Sequence, residues 1–158
     1  MEENSKKEIK LSEAIREAAN NKEIKQGNGA FYYFENENGD CISNLAGFDH
    51  NYQLCACALG AALYQVDKDA IYKKQDIMFR VGYINELIDK HFRNARKQLW
   101  MKDIKPLIEQ LKNKDVRLFC SEIEHYGKIS LAFFLAILND RFKFTFNEIA
   151  DMLDVIGY

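Results

Sequence analysis

Cys55-Ala56-Cys57-Ala58-Leu59-Gly60-Ala61-Ala62-Leu63-Tyr64 carries no charge and little bulk. Its composition predicts a helix, running from Gln53 to about Gln65, that is apolar on every side and is wrapped by neighbours from several directions. Gly60 and the alanines let those neighbours come close. A second apolar run, Ile129-Ser130-Leu131-Ala132-Phe133-Phe134-Leu135-Ala136-Ile137-Leu138, predicts another core helix, starting near Lys128 and ending at Asn139-Asp140. The fold expected is α+β and predominantly α, with about six helices around the central small-residue helix and one β-hairpin in the N-terminal half.

The hairpin is read from Phe31-Tyr32-Tyr33-Phe34, a polar stretch containing Asn38 and Gly39, and Cys41-Ile42. Aromatic and β-branched residues flanking an Asn-Gly turn favour two antiparallel strands, and a lone hairpin needs a core to lie on. Upstream, Leu11, Ala14, Ile15 and Ala18 predict a helix over 12–20 with Ser12 as N-cap, followed by a loop over 20–29. Downstream, 44–51 reads as loop, and Ile77, Val81, Ile84, Ile88 and Phe92 give a long amphipathic helix over 75–92. Residues 93–105 read as a connection pinned by Trp100, then Asp103 caps a helix carrying Pro106 in its first turn and ending near Asn113. Residues 115–120 fit either a short strand or the start of a helix. Thr145 and Glu148 form a capping box, with Phe144 and Ile149 in staple positions.

A chain of 158 residues with 47% hydrophobic content fits one globular domain, with residues 1–8 as a flexible lead. Its formal charge of −2 supplies no global field for nucleic acid or anionic membrane. No apolar run approaches the roughly 20 residues that span a bilayer, and the N-terminus lacks a signal peptide's apolar segment, so a cytoplasmic location is expected. Cys41, Cys55, Cys57 and Cys120 are too irregularly spaced for a disulfide scaffold and read as reduced thiols.

Three segments, Leu11-Ser12-Glu13-Ala14-Ile15-Arg16, Cys57-Ala58-Leu59-Gly60-Ala61-Ala62-Leu63, and Leu138-Asn139-Asp140 followed by Glu148-Ile149-Ala150-Asp151, occur in that order. Together the chain resembles small uncharacterised bacterial and phage proteins built on the same succession. Phe142 and Phe144 stand where that pattern's turn usually carries tryptophan. The resemblance implies a compact intracellular fold and a mobile-element origin, and no chemistry.

Four kinds of site can be composed from the residues. In a thiol site, Cys55 or Cys57 near a helix N-terminus would be the nucleophile, His50 or His125 the base, and Asp140 or Asn139 its orienting partner. The hydrolase so described uses Cys57, His125 and Asp140, but small buried thiols are the usual fate of such cysteines. A zinc site from Cys41, His50, Cys55, Cys57, Cys120 and His125 fails on spacing, because a Cys-x-Cys pair on a helix points its sulfurs apart.

Nucleic acid could use the basic stretch over 90–105. It sets Lys90, Arg93, Arg96, Lys97, Lys102 and Lys105 against one acid, Asp103, with His91, Phe92 and Trp100 interleaved. The segment from Thr145 looks like the first helix of a helix-turn-helix without its recognition helix. Protein binding could use Tyr32 or Tyr33 of the aromatic hairpin. No phosphate loop, serine triad or His-Glu-x-x-His motif is found. The expectation is a non-enzymatic module that binds a protein partner without metal, cofactor or membrane.

Overall fold

Leu11, Ala14, Ile15 and Ala18 share the buried face of α1 (Leu11–Asn20), the first of seven α-helices among the described residues. The computed structural model describes residues 8–29, 31–42, 52–69, 81–93, 95, 98–111 and 116–158. Helix α1 starts one residue before the sequence reading placed it. Lys10 is the N-cap and Ser12 lies inside the helix, buried, because enclosing Leu11 outweighs a serine cap. Its polar side is tied by Arg16, which pairs with Asp151 at 2.5 Å and with Asp154 at 2.6 Å.

The largest correction falls on the stretch that organises the fold. Residues 53–57 are not helical: Gln53–Ala56 is a strand, β4, and Cys57 caps the helix that follows. The main sheet has the order β1-β4-β2-β3, built from β1 (Ile24–Gln26), β2 (Tyr32–Glu35), β3 (Cys41–Ile42) and β4. Strand β4 runs parallel to β1, with Ile24 beside Leu54, and antiparallel to β2, with Tyr32 beside Ala56. Leu54, Cys55 and Ala56 are all buried, so the alternation that marks a half-exposed strand is missing and the segment reads as part of the helix. Strand β1 lies within residues 20–29, which the sequence reads as a loop, because Ile-Lys-Gln carries no strand signature of its own.

The hairpin is present. Phe34 faces Ile42 and Glu35 faces Cys41. Asn36 closes its turn, its Oδ1 accepting from the Asn38 and Asp40 N–H groups at 3.0 and 2.9 Å, while Gly39 takes φ +80°. Such a left-handed angle costs glycine almost nothing.

Helix α2 (Ala58–Val66) is central as expected, with every residue from Ala58 to Tyr64 buried. Packed against α1 on one side, it meets the sheet at Gly60. A Cβ there would overlap the Phe31 carbonyl oxygen, and the Tyr32 hydroxyl donates to the Gly60 carbonyl at 2.5 Å. Helix α3 (Val81–His91) buries Ile84, Leu87 and Ile88, with Phe92 buried just beyond it. The rest of the helix expected over 75–92, including Ile77, lies outside the described residues.

Residues 98–100 form β5 (Gln98–Trp100), paired antiparallel with β6 (Lys128–Ser130) in a second, two-stranded sheet. Leu99 is the residue buried there and Trp100 faces outward, reversing the role expected of the tryptophan. Helix α4 (Met101–Ile108) follows directly with Trp100 as N-cap, so Asp103 lies in its first turn and Pro106 in its second. Residues 116–123 are helical, as α5 (Val116–Ile123), with Val116, Phe119, Cys120 and Ile123 buried at spacings of three and four.

Helix α6 (Leu131–Ala136) is capped by Ser130, whose hydroxyl accepts from the Phe133 N–H at 3.1 Å. It therefore begins after β6, not near Lys128. The chain continues through a π-helical turn, Ile137–Arg141, into α7 (Phe146–Ile156). The Thr145–Glu148 capping box of α7 is formed, with Phe144 and Ile149 both buried. Buried residues from all seven helices, the π-helical turn and strands β1, β2, β4, β5 and β6 join one hydrophobic cluster. No helix among the described residues is long and apolar enough to cross a membrane.

Candidate functional site

In the β5–β6 ribbon, alternate residues point to opposite faces. Leu99 and its partner Ile129 therefore go inward, and both are buried, while Trp100 and its partner Lys128 go outward together. Trp100 remains 49% exposed. Lys128 Nζ lies 5.2 Å from the centre of the indole and Lys102 Nζ, from the first turn of α4, 5.7 Å. Each such cation–π contact at an exposed ring is worth about 0.5–1 kcal/mol.

Beside the indole is a surface groove of about 390 Å³. Buried Met101 and Ile123 contribute apolar lining, Trp100 and Tyr126 the aromatic walls, and Lys102, Lys105 and Glu124 the charged rim. Lys105 is engaged by Glu124 at 3.2 Å and by Glu109 at 4.0 Å. Tyr126 meets Phe133 edge to face at 5.6 Å, and these rings are 40% and 43% exposed. The His125 ring lies 5.9 Å from that of Tyr126. Two large aromatic side chains, Trp100 and Tyr126, thus remain exposed along one groove with lysines on its rim, and Phe133 continues the exposed surface beyond Tyr126. Aromatic rings bury much area at little entropic cost when they are covered.

Of the basic stretch over 90–105, the site uses Trp100, Lys102 and Lys105. Arg93 is exposed beyond α3, Arg96 and Lys97 lie outside the described residues, and Phe92 is buried. Lys90 and His91 are turned to Asp67, at 3.2 and 2.8 Å. Sequence reasoning missed Lys128, Tyr126 and Phe133. The strand pairing that sets Lys128 opposite Trp100 joins residues 28 positions apart, and Phe133 was counted into the second apolar helix.

Tyr32 cannot serve as a partner-binding residue. It points into the core beside Gly60, and burial pushes its phenol well above the usual value. Tyr33 is on the other face of the strand and half-buried, its ring covering Gly27 so closely that a Cβ there would lie 2.6 Å from it.

Cys57 does sit at a helix N-terminus, its Sγ accepting from the Gly60 N–H at 3.5 Å. Its thiol is nevertheless pushed up to about 11. Burial is the chief cause, overriding the backbone N–H groups that favour the thiolate, and the nearby Asp140 carboxylate adds to the rise. Cys55, buried in β4, is likewise raised to about 11 by burial. His125 is exposed in the aromatic patch, and no hydrogen bond among the described residues joins it to Cys57 or Asp140. His50 lies outside the described residues. Among those residues no group of three or more His, Cys, Asp or Glu side chains converges as metal ligands.

Asn139 is taken up by structure. Buried in the π-helical turn, it donates to the Gly27 carbonyl at 2.6 Å and to Asp140 Oδ1 at 2.7 Å, and accepts from Gln26 Nε2 at 2.9 Å. Gln26 also donates to the Phe144 carbonyl at 2.7 Å and accepts from the Phe146 N–H at 3.2 Å. The pair thereby fastens the edge of the main sheet to the C-terminal third of the chain. No protein-family model matches this sequence, and no curated protein or solved structure matches it either.

Proposed function

We propose that this chain is a protein-binding module whose contact surface is the groove bounded by Trp100 and Tyr126, extended by Phe133. The observation that supports it is the exposure of Trp100 and Tyr126 on the walls of one groove floored by Met101 and Ile123, with the exposed Phe133 ring against Tyr126. Trp and Tyr are the residues most enriched where binding energy concentrates. The thiol hydrolase built on Cys57, His125 and Asp140 is less well supported, because a thiol raised to about 11 is almost wholly protonated at neutral pH. The resemblance to phage-borne proteins adds a host protein as the partner.

Affinity purification from the native host, followed by mass spectrometry, tests the module. The expected result is a protein retained by the wild type and by Tyr33→Ala, and lost in Trp100→Ala and Tyr126→Ala. Retention in all four sinks the proposed surface.

Single-stranded nucleic acid is the second reading. It is favoured by the lysines next to an exposed indole, the combination that such binders use for phosphates and stacked bases. A mobility shift at low salt, weakened by Trp100→Ala, would support it.

A further inference from the structure

We propose that the groove receives an acidic, apolar-anchored peptide segment of a partner protein, its carboxylates meeting Lys102 and Lys128 and one apolar side chain entering between Trp100 and Tyr126. The proposal rests on the protein-binding role above and names the chemistry of the partner.

Charge complementarity carries it. Lys102 and Lys128 both lie over the Trp100 ring, and neither is paired with a carboxylate among the described residues. Lys105, also in the groove lining, already holds Glu124 and Glu109. An incoming carboxylate gains a charge-assisted hydrogen bond from a lysine that gives up only a weak ring contact. The ligand supplies the counter-charge that these two lysines lack.

Shape and the remaining charges favour a peptide over a nucleic acid strand. Glu124 on the rim and the net charge of −2 oppose a chain with a charge on every phosphate more strongly than a segment carrying only the one or two carboxylates that Lys102 and Lys128 can meet. The apolar lining from Met101 and Ile123, in a groove of about 390 Å³, has room for one or two side chains.

Trp100 is the single tryptophan of the chain, so its emission reports on the groove directly. The probes are a short peptide of alternating glutamate and leucine, the same peptide with glutamine for glutamate, and an oligothymidylate. The expected result is a saturable change in emission with the glutamate peptide. Its affinity should fall about tenfold or more with the glutamine peptide, and likewise in the double variant Lys102→Gln, Lys128→Gln. Circular dichroism and the urea midpoint of that variant confirm that it is folded, since both side chains are on the surface.

Equal affinity for the two peptides, or no emission change with either, overturns the proposal. Tighter binding of oligothymidylate than of the glutamate peptide overturns it in favour of the nucleic acid reading. The lysine variant also separates this inference from the one beneath it. A host protein lost in Trp100→Ala but kept by the lysine variant leaves protein binding standing and removes the acidic segment; loss in both supports the acidic segment.

Discussion

Trp100 and Lys128 face each other across the β5–β6 ribbon, and the ammonium of Lys128 rests 5.2 Å from the centre of the half-exposed indole. Their inward neighbours, Leu99 and Ile129, are buried. One face of a three-residue ribbon therefore holds the fold while the other is presented to solvent. Trp100→Ala is expected to cost about 1–2 kcal/mol of stability, the worth of its two cation–π contacts, whereas Leu99→Ala costs about 2–5 kcal/mol through lost burial and a cavity. Urea titration of the two variants checks this; comparable losses would show that the indole is structural.

Gly60 is fixed by close approach, not by backbone angle. Gly60→Ala drives a methyl group into the Phe31 carbonyl oxygen and toward the Tyr32 ring, 3.2 Å away, in a place where backbone has to move. A loss of about 1–3 kcal/mol is expected. Ala61→Gly, in the same helix, should lose about 1–2 kcal/mol through backbone entropy and its buried methyl group. An unchanged melting temperature in Gly60→Ala would displace the α2–β2 contact from the centre of the fold.

Cys57 and Cys55 should be alkylated slowly at pH 7.5 and exposed Cys41 quickly, because the first two thiols are raised to about 11. Native folding favours the neutral thiol of both residues. Their contribution to stability is therefore complete below the usual thiol value of 9.0 and lost as pH rises through about 11. Melting curves between pH 8 and 11 should show that alkaline decline. It should be smaller in Cys57→Ser, whose hydroxyl can cap α2 and does not ionise in this window. Fast labelling of Cys57 at neutral pH would restore a catalytic reading.

Asn139 and Gln26 share one network, so their removal should be non-additive. Asn139→Ala strands the Gly27 carbonyl and leaves Gln26 without one acceptor, at an expected cost of about 1–3 kcal/mol. Asn139→Asp should be worse, since a carboxylate would confront both that carbonyl and Asp140. A double-mutant cycle with Gln26→Ala is expected to give a coupling energy of about 0.5–3 kcal/mol. A value near zero would mean that the two side chains act independently.

What the sequence by itself determined is what neighbouring residues decide between themselves. Thr145 and Glu148 cap α7 reciprocally across three positions, and Asn36 and Gly39 close the hairpin turn within five residues. The buried run from Ala58 to Tyr64 announces a central helix because no residue in it can face water. Only the tertiary structure decided that Gln53–Ala56 is a strand, since burial from both sheet faces erases the alternation that would have marked it. The same holds for Tyr32 and Trp100. Each is an aromatic residue in an extended segment, and which of them is enclosed depends on the side from which helices pack, a choice made by residues far away in the chain. Tyr32 is enclosed against Gly60, while Trp100 is left outside beside a lysine 28 positions further on. The candidate site was thus legible in its components, Trp100 and Lys102, and illegible in its assembly.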